Sequence, residues 1–198
     1  MTSQAQARPL AGIAFLAIVV GAIGYAHAVQ AEPFNGPYLG VEGGYETSDG
    51  PDGLAYGAYG GWNFRASDRF VIGFEGRVGG TTGSQRTRLP APGGGTVDIT
   101  DRIGRQFGLA ARAGVLAGER TMLYGKAGWE NLQLIQRQRL TPPTGAPRDT
   151  RLSATDDSLV LGLGVEHALS ETISLRGTWD WVESSDRHQL KAGIAFHF

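Results

Sequence analysis

Ser184, Ser185, Asp186 and His188 stand within one short stretch of the chain. A hydroxyl, a carboxylate and an imidazole are the parts of a nucleophilic relay, in which a base draws the proton from an attacking oxygen. Such a relay would suit acyl transfer, as in enzymes that modify membrane lipids. Closeness in sequence does not align three side chains, however, and Ser and Asp are also ordinary turn residues. We read the cluster as a polar turn and expect no catalytic residue. Other chemistries have less support. The chain has no cysteine, so a disulfide framework and a thiolate metal site are excluded. Beyond residue 31 the histidines are His167, His188 and His197, without ligand spacing. In "GLGVEH", 162–167, His167 stands where a dinucleotide-binding turn needs its third glycine. No metal or cofactor is expected. A formal net charge of −1 gives no electrostatic reason to expect a nucleic acid partner.

A second set of polar residues is more informative. Glu42, Glu75, Arg77, Arg112, Lys126, Glu130, Glu166, Arg176, Asp180 and Lys191 all fall inside period-2 segments. In each segment they take the phase opposite the apolar residues. Five are acids and five are bases, so the set is neutral. Charges that share one face of a closed sheet must pair, because a buried unpaired ion costs several kcal/mol or more.

Eight segments carry this alternation: 38–45, 54–64, 70–79, 106–116, 121–130, 158–166, 173–181 and 190–198. Alternation of apolar and polar residues marks a strand with two unlike faces. Each is near the roughly ten residues with which a tilted strand crosses a bilayer. Connections 65–69, 117–120 and 167–172 are short, whereas 80–105 and 131–157 are long, and 46–53 and 182–187 are intermediate. Short turns at one end and longer loops at the other are the pattern of an outer-membrane barrel. The aromatic residues on the apolar phase form two bands: Trp62, Phe64, Phe70, Phe196 and Phe198 toward the short turns, and Tyr45, Tyr56, Phe107, Trp129, Trp179 and Trp181 toward the long loops. Two such girdles mark the two membrane interfaces. The expected fold is therefore an all-β, eight-stranded antiparallel up-and-down transmembrane β-barrel, with the charge set inside. A soluble periplasmic lipocalin-like barrel, which would invert the faces, is the alternative. Glycines on the charged phase, Gly40, Gly164 and Gly193 among them, would let so narrow a barrel close around long side chains.

The first 31 residues differ. Arg8 precedes the apolar "LAGIAFLAIVVGAIGYAHAVQA", and small residues at Ala26, Ala28, Val29 and Ala31 suit cleavage near 28 or 31. We read 1–31 as a secretory signal and 32–198 as the barrel domain. The mature part then carries 17 basic and 19 acidic residues.

"GPYLGVEGGY", "VIGFEGRVGG", "LYGKAGWE", "LGLGVEHALSETISLRGTWDW" and the terminal "GIAFHF" together resemble the small OmpA-like outer-membrane β-barrel proteins of Gram-negative bacteria. The resemblance covers the whole mature chain. It implies a bacterial outer-membrane location and a closing strand whose end is read by the barrel assembly machinery, here Ile194, Phe196 and Phe198. The peptidoglycan-binding domain of some members is not implied, since this chain stops at Phe198. The role expected is structural, in envelope integrity, with the protein a monomer in contact with outer-membrane lipid and lipopolysaccharide. A small porin-like channel and a lipid A-modifying enzyme are the alternatives. The long loops carry Arg86, Arg88, Arg137, Arg139, Arg148 and Arg151. They are read first as solvated surface, with lipopolysaccharide phosphates or a host ligand as the functional alternative.

Overall fold

The computed structural model describes residues 32–48, 52–91 and 93–198; residues 1–31, read above as a signal segment, lie outside the described residues. Nine β-segments follow one another: β1 Gly36–Thr47, β2 Gly53–Arg65, β3 Phe70–Thr81, β4 Ser84–Pro90, β5 Thr96–Leu116, β6 Thr121–Thr141, β7 Arg148–Ala168, β8 Ile173–Val182 and β9 Arg187–His197. All pairings are antiparallel and run in chain order, and β9 closes the sheet against β1. At that seam Leu39 faces Phe196, Val41 faces Ile194 and Tyr45 faces Leu190. β3 and β4 both pair with β5, β3 on its lower half and β4 on its upper half. They act as one barrel strand interrupted at Thr82 and Gly83, so the barrel has eight strand positions.

Closure leaves no unpaired backbone edge toward lipid, which is what lets a sheet cross a membrane. The faces are unlike: Val41 is 60% exposed on the outside, while its neighbour Glu42 is 6% exposed in the lumen. Outside, the apolar residues continue around the wall with Leu109, Leu123, Leu161 and Ile194 among them, and aromatic rings mark its ends. Trp62 stacks on Phe64, which lies tilted against Phe74, near the short turns, while Phe107 packs edge-on to Trp129 near the other end.

The largest departure from the sequence reading lies in the long connections. Residues 80–105 and 131–157 are mostly strand: β5 begins at Thr96, β6 runs to Thr141 and β7 begins at Arg148. In β6 and β7 the outward phase turns largely polar beyond the barrel without any break in register, and in β5 there is also a bulge. One extra residue enters β5 between Ile103 and Gln106, so its faces exchange phase there. The even residues face the lumen below the bulge and the odd residues face inward above it. A single-phase reading therefore ends at the bulge, although the strand does not. Above the barrel, β4, β5, β6 and β7 continue as a four-stranded sheet whose two edges, Ser84–Pro90 and residues 148–157, pair with no further strand among the described residues.

Candidate functional site: the charged lumen

The ten charged residues of the alternating segments all project into the lumen, each less than a tenth exposed. Neighbouring strands bring them into a ladder of alternating sign. At the short-turn end Glu166 accepts from Arg112 at 2.8 Å and from the Ser174 hydroxyl at 2.7 Å, and His197 Nε2 lies 2.9 Å from that hydroxyl. Arg112 also donates to the Tyr38 hydroxyl at 3.1 Å, and Tyr38 in turn donates to Glu75 at 3.0 Å. Arg176 sits between Glu75 at 2.5 Å and Glu42 at 3.0 Å. Lys126 reaches Asp180 at 3.0 Å, and Lys191 bridges Asp180 at 2.6 Å and Glu42 at 3.2 Å. Arg77 joins Glu42 at 2.5 Å to Glu130 at 3.1 Å.

The ladder has two further charges. Glu46 and Arg187 are completely or almost completely buried, and Arg187 joins Glu130 to Glu46, the latter at 3.1 Å. Gln189 adds a hydrogen bond to Glu46 at 2.5 Å. Sequence reasoning missed this pair because the first segment stopped at 45 and the last began at 190. The signal was available: Glu46 is four residues beyond Glu42, and Arg187 four before Lys191, so each shares its neighbour's phase. With them, among the described residues, the lumen holds six acids and six bases, and every one has an oppositely charged partner within 4 Å. That matters in a low-dielectric wall, where one unpaired charge would cost more than a pair returns.

Tyrosines fill the space between the ions. The guanidinium of Arg176 lies 3.5 Å from the Tyr59 ring centroid, and that of Arg112 lies 4.2 Å from Tyr124's. Such placements add attraction between cation and ring in a desolvated site. The rings need room. A Cβ at Gly40 would run into the Tyr59 ring, and one at Gly164 into the Tyr124 ring.

The short-turn mouth is closed differently. Phe34, with φ of 64°, turns into the barrel end and is fully buried against Val71, Leu116, Met122, Tyr124 and Ala168. Its ring also meets His197 edge-on at 6.0 Å. An apolar stopper thus caps the ionic column.

The hydroxyl–carboxylate–imidazole cluster lies at the opposite rim, on a short 3-10 turn, Ser184–Asp186, between β8 and β9. Asp186 Oδ1 lies 3.8 Å from His188 Nε2, but the hydroxyl of Ser184 is turned away from both. The Ser184 hydroxyl donates to Asp156, and the Trp181 indole donates to Asp186 at 2.7 Å. His188 stacks on Trp179 at 5.7 Å. Among the described residues no group of acidic or histidine side chains could hold a metal ion.

Among solved structures, the chain is similar to Ail, the attachment invasion locus protein of Yersinia pestis, at 13% identity over 83% of this chain and 99% of that one, with a TM-score of 0.48. It is similar to the N-terminal β-barrel domain of Pseudomonas aeruginosa OprF at 14% identity over 81% and 97%, TM-score 0.44. A Neisserial protein, surface protein A, gives 14% identity over 82% and 96%, TM-score 0.43. No curated protein matches the sequence. The family model described as the outer membrane protein beta-barrel domain matches residues 13–198, and the chain belongs to that family.

Proposed function

We propose that this protein is a closed structural barrel of the bacterial outer membrane, exported through its signal segment, which stabilises the envelope and carries a stiff sheet above the surface. The observation that carries the reading is the lumen: twelve charges of alternating sign, with tyrosines between them, occupy a barrel whose size leaves room only for side chains. A conducting pore would need a continuous aqueous path, and breaking this column means stripping several buried ions of their partners at once. Purified protein in planar bilayers should give no persistent single-channel steps; large stable conductance would overturn the closed-lumen reading. The roles of outer-membrane lipid as partner, of the monomeric state, and of Ile194, Phe196 and Phe198 as the element recognised by the assembly machinery belong to the same proposal. No enzymatic role is proposed, since Ser184 bonds to Asp156 and no hydrogen bond to His188 is described.

A further inference from the structure

The sheet above the barrel carries an imbalance that its own acids do not resolve. On its outward face the residues form cross-strand rows. The upper row is Arg88, Asp98, Arg139, Asp149, alternating in sign across β4 to β7. It neutralises itself, with Arg88 to Asp98 at 2.7 Å and Arg139 to Asp149 at 2.9 Å. The row beneath is Arg86, Thr100, Arg137, Arg151 and contains no acid. Arg86 reaches up to Asp98 at 3.4 Å, but Arg137 and Arg151 stand directly opposite each other. Like charges opposed across a strand pair are destabilising. Nearer the membrane follow Arg102 and, turned outward by the bulge, Arg105, both exposed. Arg102, Arg105, Arg137 and Arg151 have no ion-pair partner among the described residues.

Three of these converge. Arg102, Arg105 and Arg137 line one outward depression of about 400 Å³, whose lower wall includes Tyr56 of the outer aromatic band and whose floor includes Gly80 and Gly104. Arg137 also lines a second depression of about 470 Å³ with Arg86 and Arg151. Arg105 is two residues above Phe107 and, through Gly80, pairs across the sheet to Tyr56. The cations therefore begin at the membrane boundary and rise from it on the side facing neighbouring lipid, not at the tip where a soluble ligand would first arrive.

We propose that this outward face of β5 and β6 binds the phosphates of the outer leaflet's glycolipid, lipopolysaccharide, with Arg102, Arg105 and Arg137 as the contacting residues. Guanidinium groups match phosphate oxygens bidentately, and a bound phosphate supplies the anion that the Arg137–Arg151 row lacks. The inference rests on the outer-membrane placement proposed above. That placement is read separately, from the outer-membrane fraction and heat-modifiable electrophoretic migration. The test measures binding of bisphosphorylated lipid A, and of the same lipid with its phosphates removed, to the full mature protein in phosphatidylcholine nanodiscs. Wild type should prefer the phosphorylated form by about tenfold or more. Arg102→Gln, Arg105→Gln and Arg137→Gln combined should remove that preference, and the three Lys replacements should keep most of it and show that charge loss, not misfolding, is responsible. Arg88→Gln with Arg139→Gln, in the neutral row, should change little. Equal binding of the two lipids by wild type, an unchanged preference in the Gln variant, or binding of a soluble sulfated polysaccharide in place of lipid A would each overturn the proposal.

Discussion

Arg176 shows what one luminal side chain holds together. It is buried between Glu75 and Glu42 and stacked on Tyr59. Replacing Arg176 by Met removes a cation shared by two buried carboxylates. The expected loss is about 3–5 kcal/mol in urea unfolding from lipid vesicles, and adding Glu75→Gln should recover part of it. The tyrosine contacts give a complementary case. Gly164→Val places methyl groups where the Tyr124 ring lies; we expect a loss of about 1–3 kcal/mol in the same assay, relieved when Tyr124 is also reduced to Ala. Much of this column was legible from residue phase alone, because a side chain's face follows from parity once a strand is recognised. Glu46 and Arg187 share that parity but were left out, since the apolar residues that define phase give out near strand ends while the luminal phase continues. Phe34 was hidden for another reason: a backbone with positive φ, not a period, aims its ring.

At the scale of elements, the β-bulge in β5 decides what the sequence could convey. Below it, the apolar and charged phases stay separate over every strand. Above it the phases exchange in β5 alone, while in β5, β6 and β7 the outward residues become largely polar, so their upper halves resemble loops rich in Arg, Thr and Gln. Tertiary pairing, not local pattern, makes them strands. The hairpin β4–β5 is held partly by Asp98. The Arg88 hydrogen bond keeps the Asp98 carboxyl below its ordinary range. A lowered folded value means that the stabilising share is complete above about pH 4, the ordinary carboxylate range, and fades as acid takes the pH through the folded value. The protection of the residue 84–89 amides, with exchange rates corrected for their intrinsic pH dependence, should hold from neutral pH to about pH 5 and fall at lower pH before that of the barrel amides; simultaneous loss would contradict this.

At the scale of the molecule, the terminal strand has two duties. It seals the seam with β1, and Phe198 donates its amide to Pro37 at 3.1 Å beside the buried stopper. Deleting Phe198 should lower the yield of folded protein in the outer-membrane fraction well below that of an exposed-turn control such as Glu171→Gln. Equal yields would refute an assembly role for that residue. The closed fold was the most legible property of all, since eight alternating runs with two aromatic bands have few other solutions.

The two outer edges of the upper sheet have a consequence for neighbours. A membrane confines its proteins to a plane and holds them upright, so sheets projecting from adjacent copies meet edge to edge at matching heights. Bare edges in that arrangement would zip into ribbons along the cell surface. Here one edge carries Arg86, Arg88 and Pro90, and the other Arg148, Asp149, Arg151, Asp156 and Asp157. Charged side chains and proline are the residues that deter such pairing. Crowding at the surface thus sets a requirement on the sheet's margins that the fold of a single copy does not.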